Sequence, residues 1–391
     1  MDQHIGWQQE LDRAKALLEG GDAPAARSIL TPLARQVDRA ASPVLWARAR
    51  WLLGLALSAA GRKGAGAPEA DLNEAITAFK EALGACDKAA FPSDFALINL
   101  SMGNAFADLA EVSKPRVHLK KAIESYQQAL DSGGLARGGV EWATAKHNEA
   151  GAYFDLAQLE FREENLRQAR DIFRETLDMA DIDSFPEDRA EIEKNLGDIH
   201  RLLADSADAE ANLSLALGYY DRALEVYNSK EFPISYITIQ VDRARCLLRM
   251  ADTGDAAGHL ADALAAATRG FERSNTRELM PFYAIARNLM ADIHRRLADV
   301  GDRRLHLDAA VHAYEDTLKV CTVETNAAFT ALTWTHVAQT HEALSALEDR
   351  EAHRTKALQA YEKALAIYAR EIDPAAHGQV SRAIEQLKQQ R

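Results

Sequence analysis

Apolar and small residues recur along this chain on a fixed ruler of 47 residues. A run of the form Leu-x-x-Ala-x-x-x-aromatic-x-x-Ala-Leu opens at Leu72, Leu119, Leu166, Leu213, Leu260 and Leu307, and a worn copy begins at Arg354. Its alanine column reads Ala75, Ala122, Ala169, Ala216, Ala263, Ala310 and Ala357. The aromatic column reads Phe79, Tyr126, Phe173, Tyr220, Tyr314 and Tyr361, with Ala267 as the one gap. Positions three and four apart share one face of a helix, so each run predicts an amphipathic helix, helix B.

A second helix, helix A, precedes each run. A tiny residue recurs at Ala56, Gly103, Ala150, Gly197, Ala244, Ala291 and Ala338. Three residues later stand Phe106, Tyr153, His200, Leu247, His294 and His341, and three later again Leu109, Leu156, Leu203, Met250, Leu297 and Leu344. Together with Ala49, Ala96, Ala143, Ala190, Ala284 and Ala331 nearer its start, the pattern predicts a helix of about 18 residues, about 27 Å long. Phe91-Pro92, Phe185-Pro186 and Phe232-Pro233 sit in register just before helix A, where proline is tolerated. Before helix B lies the column Asp71, His118, Asn165, Asn212, His259, His306 and His353, read as N-caps, with Glu74 and Gln168 at capping-box spacing. The loop Gly61-Arg62-Lys63-Gly64-Ala65-Gly66 reads as a connector.

A fixed period of this length predicts stacked helical hairpins. The expected organisation is an N-terminal capping hairpin over 1–40, seven 47-residue repeats over 41–373 and a C-terminal capping helix over 374–391. The ends differ from the repeats, as exposed terminal cores require. The sum is an all-α chain of about 17 helices in antiparallel pairs.

These columns resemble the tetratricopeptide repeat. Met102-Gly103 with Phe106, and Leu196-Gly197 with His200, match the Leu-Gly-x-x-Tyr of its first helix. Ala75/Phe79/Ala82, Ala122/Tyr126/Ala129 and Ala357/Tyr361/Ala364 match the Ala-x-x-x-Phe-x-x-Ala of its second. The usual repeat has 34 residues, so these copies are similar to a long-repeat variety found in bacterial proteins. The resemblance implies a right-handed α-solenoid superhelix whose concave face, lined by helices A, holds an extended peptide or another protein. It does not imply catalysis.

Composition narrows the chemistry. The 391 residues carry a net charge of −13, which disfavours nucleic acid as a general partner. No run approaches the 18 apolar residues of a membrane span. Met1-Asp2-Gln3-His4 opens no signal peptide. Cys86 and Cys321 share a column five repeats apart and Cys246 reads as core, so no disulfide is expected and a cytoplasmic location is the default. The histidine column His259, His306, His353 has members one repeat apart, about 8–10 Å, too far for a shared metal. His200, His294 and His341 read as packed substitutes for tyrosine. There is no Gly-x-Ser-x-Gly elbow and no phosphate-binding Gly-x-x-x-x-Gly-Lys-Ser/Thr loop. No catalytic residue, metal or cofactor is expected.

The groove side of helix A carries the remaining signal. Lys194, Arg201, Arg245, Arg249, Arg295 and Arg296 give the middle repeats a basic stretch, where earlier repeats hold Leu97, Leu100, Asn104, Asp108, Thr144, His147 and Asp155. Arginine suits bidentate capture of carboxylate. Two readings stand: the arginines meet an acidic partner, or Asp198, Asp242 and Asp292 neutralise them. Asn148, Asn195 and Asp242 form a polar ladder that serves either a ligand's backbone or the neighbouring helix. The family's carboxylate clamp wants Lys and Asn four apart, and Lys194 is followed by Asp198, so that peptide class is not expected. The favoured function is a non-enzymatic scaffold for a partner protein or an acidic, extended peptide. A self-assembling module and a regulatory subunit of a separately encoded enzyme are the alternatives. The oligomeric state stays open.

Overall fold

The computed structural model describes residues 2–62, 67–178, 184–206, 208–274, 277–368 and 373–389. These hold 17 α-helices and one 3-10 turn, Arg277–Leu279, and no strand. The chain divides into two compact units, Met1–Ile192 and Glu193–Arg391. In the first, α1 (Asp2–Glu19) and α2 (Ala23–Gln36) precede three pairs: α3 (Pro43–Arg62) with α4 (Pro68–Leu83), α5 (Pro92–Val112) with α6 (Pro115–Leu130), and α7 (Val140–Ala157) with α8 (Arg162–Leu177). The helix α9 (Pro186–Leu203) begins in the first unit and ends in the second. The second unit continues with α10 (Ala209–Val226). Its pairs are α11 (Pro233–Met250) with α12 (Ala256–Arg273), α13 (Met280–Leu297) with α14 (Arg303–Val320), and α15 (Val323–Ser345) with α16 (Arg350–Ile367). The last helix, α17 (Pro374–Gln389), packs on α16.

The pairs are antiparallel helices A and B. Gly103 of α5 meets Tyr126 of α6 while Phe106, three residues on, stacks on His118, eight residues earlier in α6. The tiny column exists for that crossing. A Cβ on Gly103 or Gly197 would come 2.5 Å from the ring of Tyr126 or Tyr220. These rings are almost wholly buried, as are Phe79, Phe173 and Tyr314. Burying each aromatic side chain contributes about 1.5–3 kcal/mol. Cys246 is also fully buried, and burial pushes its thiol up to about 12.

Helix B starts earlier than the polar column indicates. The N-caps of α4, α6, α8, α10, α12, α14 and α16 are Ala67, Lys114, Phe161, Asp208, Asp255, Asp302 and Asp349. Each lies four residues before the column that starts at Asp71. The carboxylates of Asp208, Asp255 and Asp302 accept hydrogen bonds from the N–H groups of Ala211, Gly258 and Leu305. The column itself therefore sits one turn inside the helix, and Glu74 and Gln168 close no capping box there. Asn165 and Asn212 instead donate back to the carbonyls of Glu160 and Asp208. The capping box that does form is Thr322 with Thr325, at the start of α15. Of the loop after Gly61, residues 63–66 lie outside the described residues.

In three repeats the tyrosine of the aromatic column bonds the residue after the tiny column, whereas Tyr361 donates to Glu342 instead. Tyr126 donates its hydroxyl to Asn104, Tyr220 to Asp198 and Tyr314 to Asp292, each 22 residues back. Where the ring is Phe173, which has no hydroxyl, the acceptor position holds Gly151, and a Cβ there meets nothing within 4 Å. Installing both halves, Phe173→Tyr with Gly151→Asn, is expected to show a favourable coupling of about 1 kcal/mol over the two single changes. Native-state hydrogen exchange of α7 and α8 measures it, and additive effects would refute the pairing.

Candidate functional site

The polar and apolar residues that converge on the helix A face of the second unit build the site. Lys194 and Asp198 are one turn apart on α9 and pair at 3.2 Å. Arg201, one turn further, lies 3.9 Å from Asp198 and 3.5 Å from Asp242 on α11, and its Nε donates to the Tyr220 hydroxyl at 3.4 Å. Burial disfavours the Arg201 charge, but Asp242, Tyr220 and Asp198 outweigh it and raise its pKa. Burial raises Asp242 in turn, against the pull of the Arg201 guanidinium. Arg245 donates to the same Asp242 carboxylate oxygen at 2.9 Å, and 44% of its side chain stays exposed. Lys194, Asp198, Arg201, Asp242 and Arg245 thus form one alternating chain of charges, anchored by the buried Tyr220.

The other expected groove residues are placed elsewhere. Arg249 donates to the carbonyls of Arg201 and Ala204 at 3.3 and 3.1 Å and pairs with Asp205 at 2.7 Å, so it ties the end of α9 to α11. Arg296 pairs with Asp252, 44 residues back like Asp205 from Arg249. Arg295 donates to Gln339 at 3.0 Å. Asn195 is half-buried on α9. Asn148 belongs to the first unit, where its amide donates to Asn104 at 2.9 Å, the same oxygen that accepts from Tyr126. The structure therefore brings Lys194, Arg201, Asp242 and Arg245 together, each facing a carboxylate or, for Asp242, two guanidinium groups.

Beside Arg245 opens a cavity of about 570 Å³ between α13 and the start of α15. Ala284, Ile285, Leu289 and Phe329 give it apolar lining, and Arg245, Asp292, Asn326 and the buried Asn288 give it polar groups. Asn326 has non-helical angles, φ −161° and ψ 87°, and marks a kink within α15. Its side chain accepts from the N–H of Phe329, restarting the helix below the kink. This cavity was not foreseen. The link before α15, Cys321-Thr322, is shorter than in the other repeats because α15 starts earlier on an unbroken 47-residue ruler, so the spacing of the columns does not announce it.

The two histidine columns also meet, which spacing within either one does not reveal. His294 and His306 approach at 3.2 Å between Nδ1 atoms, and His341 and His353 at 3.1 Å. At the same place on α9 and α10, His200 Nδ1 lies 2.8 Å from Asn212 Oδ1. Among the described residues, no three of His, Cys, Asp and Glu gather to hold a metal ion. None of the described helices is long and apolar enough to cross a membrane.

No family model matches the chain, and no curated protein matches it. Solved structures do. The apo form of RapI is 15% identical, with 98% of this chain and 97% of that chain covered and a TM-score of 0.52. A tetratricopeptide repeat protein from Parabacteroides merdae ATCC 43184 is 16% identical, with 83% and 97% covered and a TM-score of 0.45. A Rap protein complexed with competence and sporulation factor is 12% identical, with 98% of each chain covered and a TM-score of 0.42. The fold is of the tetratricopeptide-repeat kind, an α-solenoid of helix pairs.

Proposed function

We propose that this chain is a non-enzymatic interaction scaffold that holds an extended segment of a partner protein on the helix A face of its second unit. The cavity beside Arg245 carries this reading. It pairs apolar lining and room for a bulky side chain with a half-exposed guanidinium. Pockets of this size with few convergent polar groups are the usual form of a binding site. Arg201 and Arg245 share Asp242, so Arg245 can turn to a ligand carboxylate while Arg201 keeps Asp242 paired. The segment is therefore one with an apolar anchor next to an acidic residue. The three cysteines are free thiols, which fits a reducing compartment and a cytoplasmic place of work.

A displayed library of extended peptides tests this. Enrichment of an apolar residue flanked by Asp or Glu is expected, and Arg245→Glu should weaken the selected peptide at least tenfold with helical circular dichroism unchanged. Arg249 is the wrong residue to reverse, because it bonds backbone carbonyls. Unchanged affinity of the Arg245→Glu variant sinks the reading.

A further inference from the structure

In α13 and α14, and again in α15 and α16, helix A is joined to helix B by two imidazoles facing nitrogen to nitrogen. The ring centroids lie 5.4 Å apart for His294 and His306 and 5.2 Å for His341 and His353, with planes 30° and 38° apart. Edge-to-edge rings at these distances aim each Nδ1 at the other. Two neutral imidazoles make one hydrogen bond in this geometry, one Nδ1–H donating to the other's lone pair. Two imidazolium ions make none, because both nitrogens then carry protons. The chain shows the alternative on α9 and α10, where Asn212 presents an amide oxygen to His200. An oxygen accepts from imidazole and imidazolium alike.

We propose that the His294–His306 and His341–His353 pairs make α13–α16 an acid-labile segment, closed when each pair shares one proton and parted when each carries two. Burial, followed by His306, pushes His294 down to about 4, and Arg287 on its own helix adds to this. Burial, followed by His353, pushes His341 down to about 4; Lys356 on α16 adds to this and Asp308 on α14 opposes it. An unfolded histidine titrates near 6.5. Opened chain therefore binds more protons than closed chain below that value. The contribution of the pairs is whole above about pH 6.5 and is lost as pH falls toward about 4. In stacked repeats each pair of helices leans only on its neighbours, so the opening stays local. The cavity beside Arg245 lies between α13 and α15, so acid also releases a bound segment; this clause rests on the function proposed above.

Amide hydrogen exchange on the full chain, corrected for intrinsic rates, tests the segment without any partner. Protection in α13–α16 should fall at least tenfold between pH 7.0 and 5.0, while α3 and α4 change less than threefold. The double variant His306→Asn with His353→Asn copies the His200–Asn212 arrangement and should keep its protection at pH 5.0 to within about threefold. Loss of equal size in both proteins, or none in the unaltered chain, overturns the proposal. Peptide binding at pH 5.0, retained by the double variant and lost by the unaltered chain, is the separate arm for release.

Discussion

Replacing Gly134 with valine is expected to destabilise the first unit by about 3 kcal/mol or more. Gly134 lies in the link between α6 and α7, against the first turn of α5. A Cβ at this position would overlap the Pro92 carbonyl and come 2.7 Å from the Ser93 nitrogen. Both obstacles are backbone, so no rotamer change relieves them. The approach is also bonded: Ser93 donates its hydroxyl to the Gly134 carbonyl at 3.1 Å, and the Gly134 N–H donates to Ser132 at 3.0 Å. The control is the neighbour Gly133, which has φ +73° and open space around it. Gly133→Ala meets only the left-handed backbone penalty of about 1–2 kcal/mol. Exchange protection across α5, α6 and α7 should fall far more in the valine variant than in the alanine one. Equal losses would show that close approach does not set the requirement at 134.

The repeat columns are legible in the sequence because helix packing forces them. A ring that crosses a neighbouring helix needs a tiny residue opposite it, and both return every 47 residues, as at Gly103 with Tyr126 and Gly197 with Tyr220. Helix ends are harder to read because several polar columns compete for the cap. Asp208, Asp255, Asp302 and Asp349 stand on the same ruler as Asn212, His259, His306 and His353, and only backbone geometry shows that the earlier set ends the turn. His200 and His341 are buried as the core column predicts, but the pairing of the histidines escapes a column-by-column reading because the partners lie 12 residues away on the facing helix, as His306 does from His294. The arginines are visible as an irregular set, and so are Asp198 and Asp242 as partners of Arg201 and Arg245, but the partners of Arg249 and Arg296 are not. Asp205 for Arg249 and Asp252 for Arg296 come from the preceding repeat, 44 residues back, a separation that no single-helix spacing rule samples. The cavity beside Arg245 depends on the kink at Asn326, a backbone angle that the columns do not encode.

Tyr220→Ala is expected to destabilise the second unit by about 3–5 kcal/mol, the range for removing a large aromatic side chain from a packed core. The ring is 0% exposed and lies directly on Gly197, which has no side chain to fill the void. Its hydroxyl donates to Asp198 at 2.6 Å and accepts from Arg201 at 3.4 Å. Burial, then Asp198, raises the tyrosine well above its ordinary pKa, so it remains a donor across the biological range. Tyr220→Phe separates the two roles. It keeps the ring and is expected to lose only about 1.5–3 kcal/mol, the range for a hydrogen bond to a charged group. Urea unfolding of the full chain, followed by exchange in α9–α11, measures both variants, and an alanine variant no weaker than the phenylalanine one would contradict the packing argument. The phenylalanine variant also reaches the site. Without the hydroxyl, Asp198 and Arg201 lose their shared partner, and Arg201 is what leaves Asp242 paired when Arg245 turns outward. If the proposed site is right, the phenylalanine variant is also expected to bind the selected peptide differently from the unaltered chain, because Arg245 shares Asp242 with Arg201.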